Sequence, residues 1–279
     1  MPVISTNTAA NSALRYLNIN SGEQDQYLNR VASGSQVNKA SDDAAGLAVA
    51  TKLQNDVAVL AQAQTNASHA VSVLETADGG LAQISDVLQR MKELAAQAVS
   101  GAVTDTERAY IDAEYQELVE EIDSIAAGTR FNGQSLLDGS SDFVTGTGVD
   151  FLVGTDITND VLSVEIADVS ADAIGGDLTG TAVDNATNAA AAATAIDTAI
   201  GEVAAARANV GAQMSRFEYH EGQLASAEEN LDAAQSAIVD ADIAEEQSNF
   251  SSAKVKTNAA IAALAQANEM PQELLSLLQ

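Results

Sequence analysis

The sequence predicts a mainly α fold: an elongated antiparallel helical rod or coiled coil, with a small β-hairpin region and with its N- and C-terminal helices paired. Three observations predict it. From Leu53 an apolar residue recurs every seven positions, through Leu60, Ala67, Leu74, Leu81 and Leu88 to Ala95. Over a hundred residues later the same spacing returns at Val203, Val210, Phe217, Leu224, Leu231 and Ile238. Such a repeat keeps one stripe of a helix on its partner turn after turn. The composition agrees, with no Trp, no Cys, two Pro and only 4% aromatic residues. Aromatics usually fill a thick core, so Ala, Leu, Ile and Val must line a narrow one.

Each element follows from its residues. A polar lead-in precedes a helix carrying Leu14, Leu17, Leu28 and Val31, which Ser33-Gly34-Ser35 interrupts. Ser41-Asp42-Asp43 offers N-cap residues and acidic charge for the positive end of the next helix. That helix runs to about Val99, with Gly79-Gly80 as an expected weakness or bend, and Gly101 ends it. Thr104 and Glu107 form a capping-box pattern. Ile111, Tyr115, Leu118, Ile122 and Ile125 follow on one helix face. The short gap after Val99 folds this helix back antiparallel on its predecessor.

Phe131-Asn132-Gly133 opens a segment rich in Gly, Thr, Asp and Val. Phe151–Val153 and Val161–Ile166 read as short strands. Between Arg130 and Arg207 there are 12 acidic residues and no Lys or Arg. A segment of one sign is expected on a solvent face rather than in a shared interior. A long helix begins near Ala189 and reaches about Ala241. The last helix restarts near Ser251, and Pro271 is expected to break it. Its greasy end, Leu274-Leu275-Ser276-Leu277-Leu278, needs a cover, and the helix of Leu14–Val31 is the expected one. The predicted division is 1–40 with 242–279, 41–135 with 185–241, and 136–184 as a short acidic β-rich segment.

The totals exclude several functions. The net charge is −28, which disfavours nucleic acid and anionic membranes as partners. No basic-then-apolar leader is visible, and no stretch reads as the roughly 18 apolar residues of a membrane span. Catalytic chemistry is missing. His220-Glu221 begins a His-Glu-x-x-His pattern, but Leu224 stands where the second His belongs. Phosphate loops, calcium loops and serine triads are also absent. The expectation is no enzyme, no metal and no cofactor. The stripes carry the function, through further copies of the chain.

Several motifs then agree in order. Ser33–Asn38 followed by Ser41-Asp42-Asp43-Ala44-Ala45-Gly46-Leu47-Ala48 resembles the N-terminal signature of bacterial flagellin. Leu88–Ala95 resembles its second signature, and Phe131-Asn132-Gly133 the end of its N-terminal region. Ala265–Asn268, Pro271-Gln272 and Leu274–Leu278 resemble its C-terminal tail. The resemblance covers about 1–135 and 185–279. It implies a structural subunit of the extracellular flagellar filament, exported unfolded and assembled at the distal tip, serving swimming motility. The partners it implies are other copies of the chain in a helical homopolymer, an export chaperone, and cap and hook-junction proteins. The filament-assembly residues expected are Leu14, Leu17, Leu28, Val31, Ile261, Leu264, Leu274, Leu275, Leu277 and Leu278. A site for the flagellin-sensing Toll-like receptor would fall on Gln89, Arg90, Leu94 and Glu114. Gln36 departs from the Arg that relatives often carry. The junction proteins of the same system, with similar terminal helices, are the alternative reading. A third is a flagellin with a metallopeptidase in its middle, against which the short, His-free middle speaks.

Overall fold

The computed structural model describes residues 7–144 and 146–276, with side chains up to Met270. Five α-helices dominate the described residues: α1 Thr8–Ser33, α2 Ala44–Val99, α3 Asp105–Gly128, α4 Ala186–Val239 and α5 Ile243–Ser276. Two small antiparallel hairpins accompany them, β1 Arg130–Phe131 with β2 Gln134–Ser135, and β3 Val149–Leu152 with β4 Val161–Val164. The chain divides into two compact units. One takes both ends, Met1–Asp56 and Asn230–Gln279; the other is Val57–Glu229.

In the unit of the chain ends, α1 packs against α5. Asn7 caps α1, its Oδ1 accepting from the Ala10 N–H at 3.0 Å. Gly34, with φ of 73°, ends the helix in the left-handed conformation that glycine adopts without strain. The chain beyond it pairs with the chain beyond α4. Gln36 N–H donates to the Val239 carbonyl at 2.6 Å, and Ala241 N–H to the Gly34 carbonyl at 2.9 Å. Asp42 accepts from the Asn38 and Lys39 amides, and Asp43 from those of Ala45 and Gly46. The two aspartates therefore shape the loop and cap α2, as the sequence suggested. Helix α5 departs from expectation at both ends. It starts at Ile243, because Asp242 accepts from the Ala244 and Glu245 amides. It then continues through Pro271 to Ser276.

In the other unit, the predicted stripes form the core. Leu60, Ala67, Leu74, Leu81, Leu88 and Ala95 are buried on α2, and Val203, Val210, Phe217 and Leu224 on α4. Asp78 pairs with Arg207, Ser68 donates to Glu221, and Lys92 pairs with Asp197. As α2 numbers rise the α4 partners fall, so the helices run antiparallel. Helix α3 is also antiparallel to α2, with Arg90 on Glu114 and Arg108 Nε on the Ala98 carbonyl. Its buried face is Arg108, Ile111, Tyr115, Val119, Ile122 and Ala126, with Leu118 and Ile125 half-buried at its edge.

Three expectations need correction here. Gly79-Gly80 does not interrupt α2. A Cβ on Gly80 would sit 2.7 Å from Leu137 Cδ1 and also meet the Thr129 side chain, so Gly80 permits close approach rather than a bend. The acidic middle does enter a shared interior. None of its acidic residues is fully buried, but Leu137, Phe143, Val164, Ile166 and Leu178 are, and Phe151 meets Phe217 edge-on at 6.0 Å. Helix α3 accepts and donates there too: Asp112 and Asp123 accept from the Val183 and Ala171 amides, and Gln116 donates to the Thr181 carbonyl. Finally, α4 does contain a stretch long and apolar enough by composition to cross a membrane. Its Ala189, Ala192, Ile196 and Ala199 are buried in this unit instead.

Candidate assembly and recognition surfaces

The α1–α5 pair is a heptad seam. On α1 the sheltered positions are Ala10, Ala13, Leu17, Asn20, Gln24, Tyr27 and Val31, all half-buried. On α5 they are Glu246, Phe250, Ala253, Thr257, Ala260, Leu264 and Ala267, of which Glu246 and the three alanines are buried. Both sets alternate steps of three and four, the spacing of an antiparallel coiled-coil contact. The small alanines let the helices approach closely but bury little area. No residue of α1 is fully buried.

The predicted assembly residues therefore separate. Leu17, Val31 and Leu264 face the seam. Leu14, Leu28 and Ile261 lie outside it, at 46%, 49% and 52% exposure. Leu274 and Leu275 lie on the helical backbone of α5, but their side chains are outside the described residues, as are Leu277 and Leu278 altogether. Sequence reasoning missed five more exposed apolar residues on the pair: Tyr16 and Ile19 on α1, Ile243, Val255 and Met270 on α5. It also missed the alanine seam, although Ala253, Ala260 and Ala267 show the same seven-residue step as the longer stripes.

The second surface is on α2 and α3. Arg90 donates to Glu114 Oε1 from Nε at 3.0 Å and from Nη2 at 2.6 Å, and to Glu93 from Nη1 at 3.2 Å. The hydrogen bonds it donates to Glu114, then to Glu93, raise the guanidinium's pKa above its ordinary value. Gln89 is exposed beside it. Leu94 is 2% exposed and belongs to the helix core, so the outer face here is Gln89, Arg90 and Glu114.

Neither surface offers reaction chemistry. Among the described residues no group of three His, Cys, Asp or Glu side chains converges as a metal would need. His69 is exposed. His220 lines an open cleft of about 270 Å³ with Arg216 and Asp160, while Glu221 is engaged by Ser68.

Two family profiles match the chain. That of the bacterial flagellin N-terminal helical region covers residues 4–142, and that of the C-terminal helical region covers 193–278. The chain belongs to the bacterial flagellin family. The flagellin of Halalkalibacterium halodurans is 36% identical, covering 99% of this chain and 100% of its own. That of Bacillus subtilis strain 168 is also 36% identical, over 99% of both chains. A solved structure of a putative flagellar hook-associated protein from Vibrio parahaemolyticus shares the fold, with a TM-score of 0.57 over 71% of this chain and 100% of its own, at 17% identity. As a flagellin, the chain is a structural subunit of the extracellular flagellar filament and not an enzyme. Full-length identity to flagellins sets this reading above that of a junction protein.

Proposed function

We propose that the outer face of the α1–α5 pair is the surface by which this flagellin joins its neighbours, after export as an unfolded chain and delivery to the distal tip. The observation that carries the proposal is the exposed apolar set Leu14, Leu28 and Ile261 on a helix pair whose only fully buried seam residues among those described are Ala253, Ala260, Ala267 and Glu246. Burying one leucine is worth roughly 1.5–3 kcal/mol, so neighbouring copies gain by covering this face. In this reading residues 1–40 with 242–279 form the inner part of the filament. Residues 41–135 with 185–241 form its outer shell, and 136–184 project outward. The absence of Cys and the two Pro in 279 residues suit a chain that travels unfolded. An export chaperone, a cap and hook-junction proteins would be its partners on that route.

Electron microscopy of seeded polymerisation tests this directly. The intact chain is expected to give long tubes, and a chain lacking residues 265–279 none. Tubes from the truncated chain would remove the terminal pair from assembly.

The face of Gln89, Arg90 and Glu114 is the proposed site for the flagellin-sensing Toll-like receptor. Arg90 is held on the surface by two carboxylates, which presents a fixed guanidinium to a partner. Arg90→Asp is expected to weaken receptor binding at least tenfold. Unchanged affinity would withdraw the assignment.

A further inference from the structure

A seam built on repeated alanines has a register problem. The buried apolar positions of α5 are Ala253, Ala260 and Ala267, identical at every seventh residue. Sliding α1 by one heptad would keep alanine at two of those three contacts and bring Glu246 or Leu274 to the third, depending on the direction. Something other than alanine burial must choose the register.

Two polar contacts stand near opposite ends of the seam. At one, Arg30 Nη1 donates to Glu246 Oε1 at 3.1 Å, with the two side chains only 20% and 10% exposed. Arg30 Nε and Glu246 Oε2 are buried and have no hydrogen-bond partner among the described residues. A sheltered ion pair made through one prong adds little net stability, but breaking it strands a charge. It penalises the wrong register more than it rewards the right one. At the other end, Pro271 lies within helix α5 and has no N–H to give to the carbonyl four residues back. That carbonyl belongs to Ala267, and Asn7 Nδ2 donates to it at 2.6 Å. The same Asn7 caps α1 through Oδ1. One side chain thus caps its own helix and takes up the acceptor that proline leaves open on the other. By contrast, Glu23 and Lys256, between these points, are 3.9 Å apart and solvent-exposed, which is worth little.

We propose that the pairing register of the chain's two ends is set by two polar locks, Arg30 with Glu246 and Asn7 with the Ala267 carbonyl that Pro271 frees, acting on a seam whose repeated alanines discriminate weakly. The locks stand at different heights along both helices. A slip of one heptad, about 10 Å, separates both at once. The device is intramolecular, so it is independent of which outer face meets a neighbour.

The absence of Cys from the sequence makes the test clean. The contacts of Asn7 with Ala267 and Arg30 with Glu246 place Leu17 opposite the turn of Ala260. In the full chain, Leu17→Cys is combined either with Ala260→Cys, in register, or with Ala267→Cys, one heptad away. Intrachain disulfide yield after mild oxidation is read by mass spectrometry. The native background should favour the Ala260→Cys pair strongly. In a background of Asn7→Ala, Arg30→Leu and Glu246→Leu, the share of the shifted disulfide is expected to rise about tenfold, as loss of a charged and a neutral hydrogen bond implies. The swap Arg30→Glu with Glu246→Arg, retaining Asn7, should restore the native ratio. A lock-free chain with the native ratio overturns the proposal, and so does a swapped chain that slips as far as the lock-free one.

Discussion

Thr104 shows how much one residue can do at a helix end. Its hydroxyl accepts from the Glu107 amide, while the Glu107 carboxylate accepts from the Thr104 amide at 2.8 Å and from its hydroxyl. These bonds, the one from the Thr104 backbone first, hold Glu107 below the usual carboxylate pKa. A depressed folded-state pKa contributes stability that is present above the unfolded value, about 4.3, and is lost as pH falls through the folded one. The start of α3 should therefore fray in acid, below about pH 4. Amide exchange at Glu107 and Arg108 should reveal this; Glu107→Gln should abolish the pH dependence, whereas Thr104→Ala, which keeps the backbone donor, should only weaken it while costing about 1 kcal/mol. The two adjacent glycines of α2 make a second test. Gly79 faces open space, so Gly79→Ala should stabilise by up to about 1 kcal/mol. Gly80→Ala should instead cost about 1–3 kcal/mol by overpacking against Thr129 and Leu137. Thermal melting of the pair decides it, and equal shifts would refute the close-approach reading.

At the scale of elements, the two kinds of apolar stripe should respond differently. Leu88 is fully buried between helices, and Leu88→Ala should cost about 2–5 kcal/mol in denaturant unfolding. Leu28 is half exposed on α1, so Leu28→Ser should leave unfolding within about 0.5 kcal/mol of the native chain. It should nevertheless raise the concentration needed for polymerisation. A Leu28→Ser chain that polymerises normally would argue against the outer face as a contact. The middle segment is tied to α3 through Tyr115, whose hydroxyl lies 2.6 Å from that of Thr181. Thr181 in turn donates to the Leu178 carbonyl, so the tyrosine is the donor. Burial raises the Tyr115 pKa above its usual value. Tyr115→Phe should lower stability by about 1 kcal/mol, which chemical denaturation will measure. This tie was not legible in the sequence. The one-signed charge of the middle hid an alternation in which Leu162, Val164 and Ile166 point inward. The Asn132-Gly133 turn carried a local signal that the sequence reading took only as the start of a new segment. Both residues have positive φ, 49° and 83°, as a two-residue hairpin needs, and Asn-Gly is its strongest local signal.

For the whole molecule, charge is the dominant fact. Against 40 acidic residues, the ion pairs among the described residues engage Arg30, Arg90, Lys92, Arg108, Arg207 and Lys256. The remaining surplus is negative, and a filament brings many copies of it together. Screening shortens that repulsion to about 10 Å at 0.1 M salt. Filaments should thus withstand higher temperature in high salt than in low, as scanning calorimetry of the polymer would show. Equal melting would mean that the acidic surface is dispersed or paired across subunits.

What the sequence determined by itself was periodicity and punctuation. Seven-residue spacing named the buried faces of α2 and α4, and Thr104, Asp43 and Gly34 marked where helices begin and end, because both signals are local. The flagellin motifs were legible for the same reason. Tertiary structure alone decided three things. It showed that Gly80 exists for a neighbour, that the acidic middle shares a core with the helices, and that α5 survives Pro271. The first two depend on an atom far away in sequence, Leu137 for Gly80 and Phe217 for Phe151, and at the third Asn7 donates to the carbonyl of Ala267. A propensity or a pattern reports what a segment prefers alone, whereas the first two features exist only because another part of the chain supplies the contact.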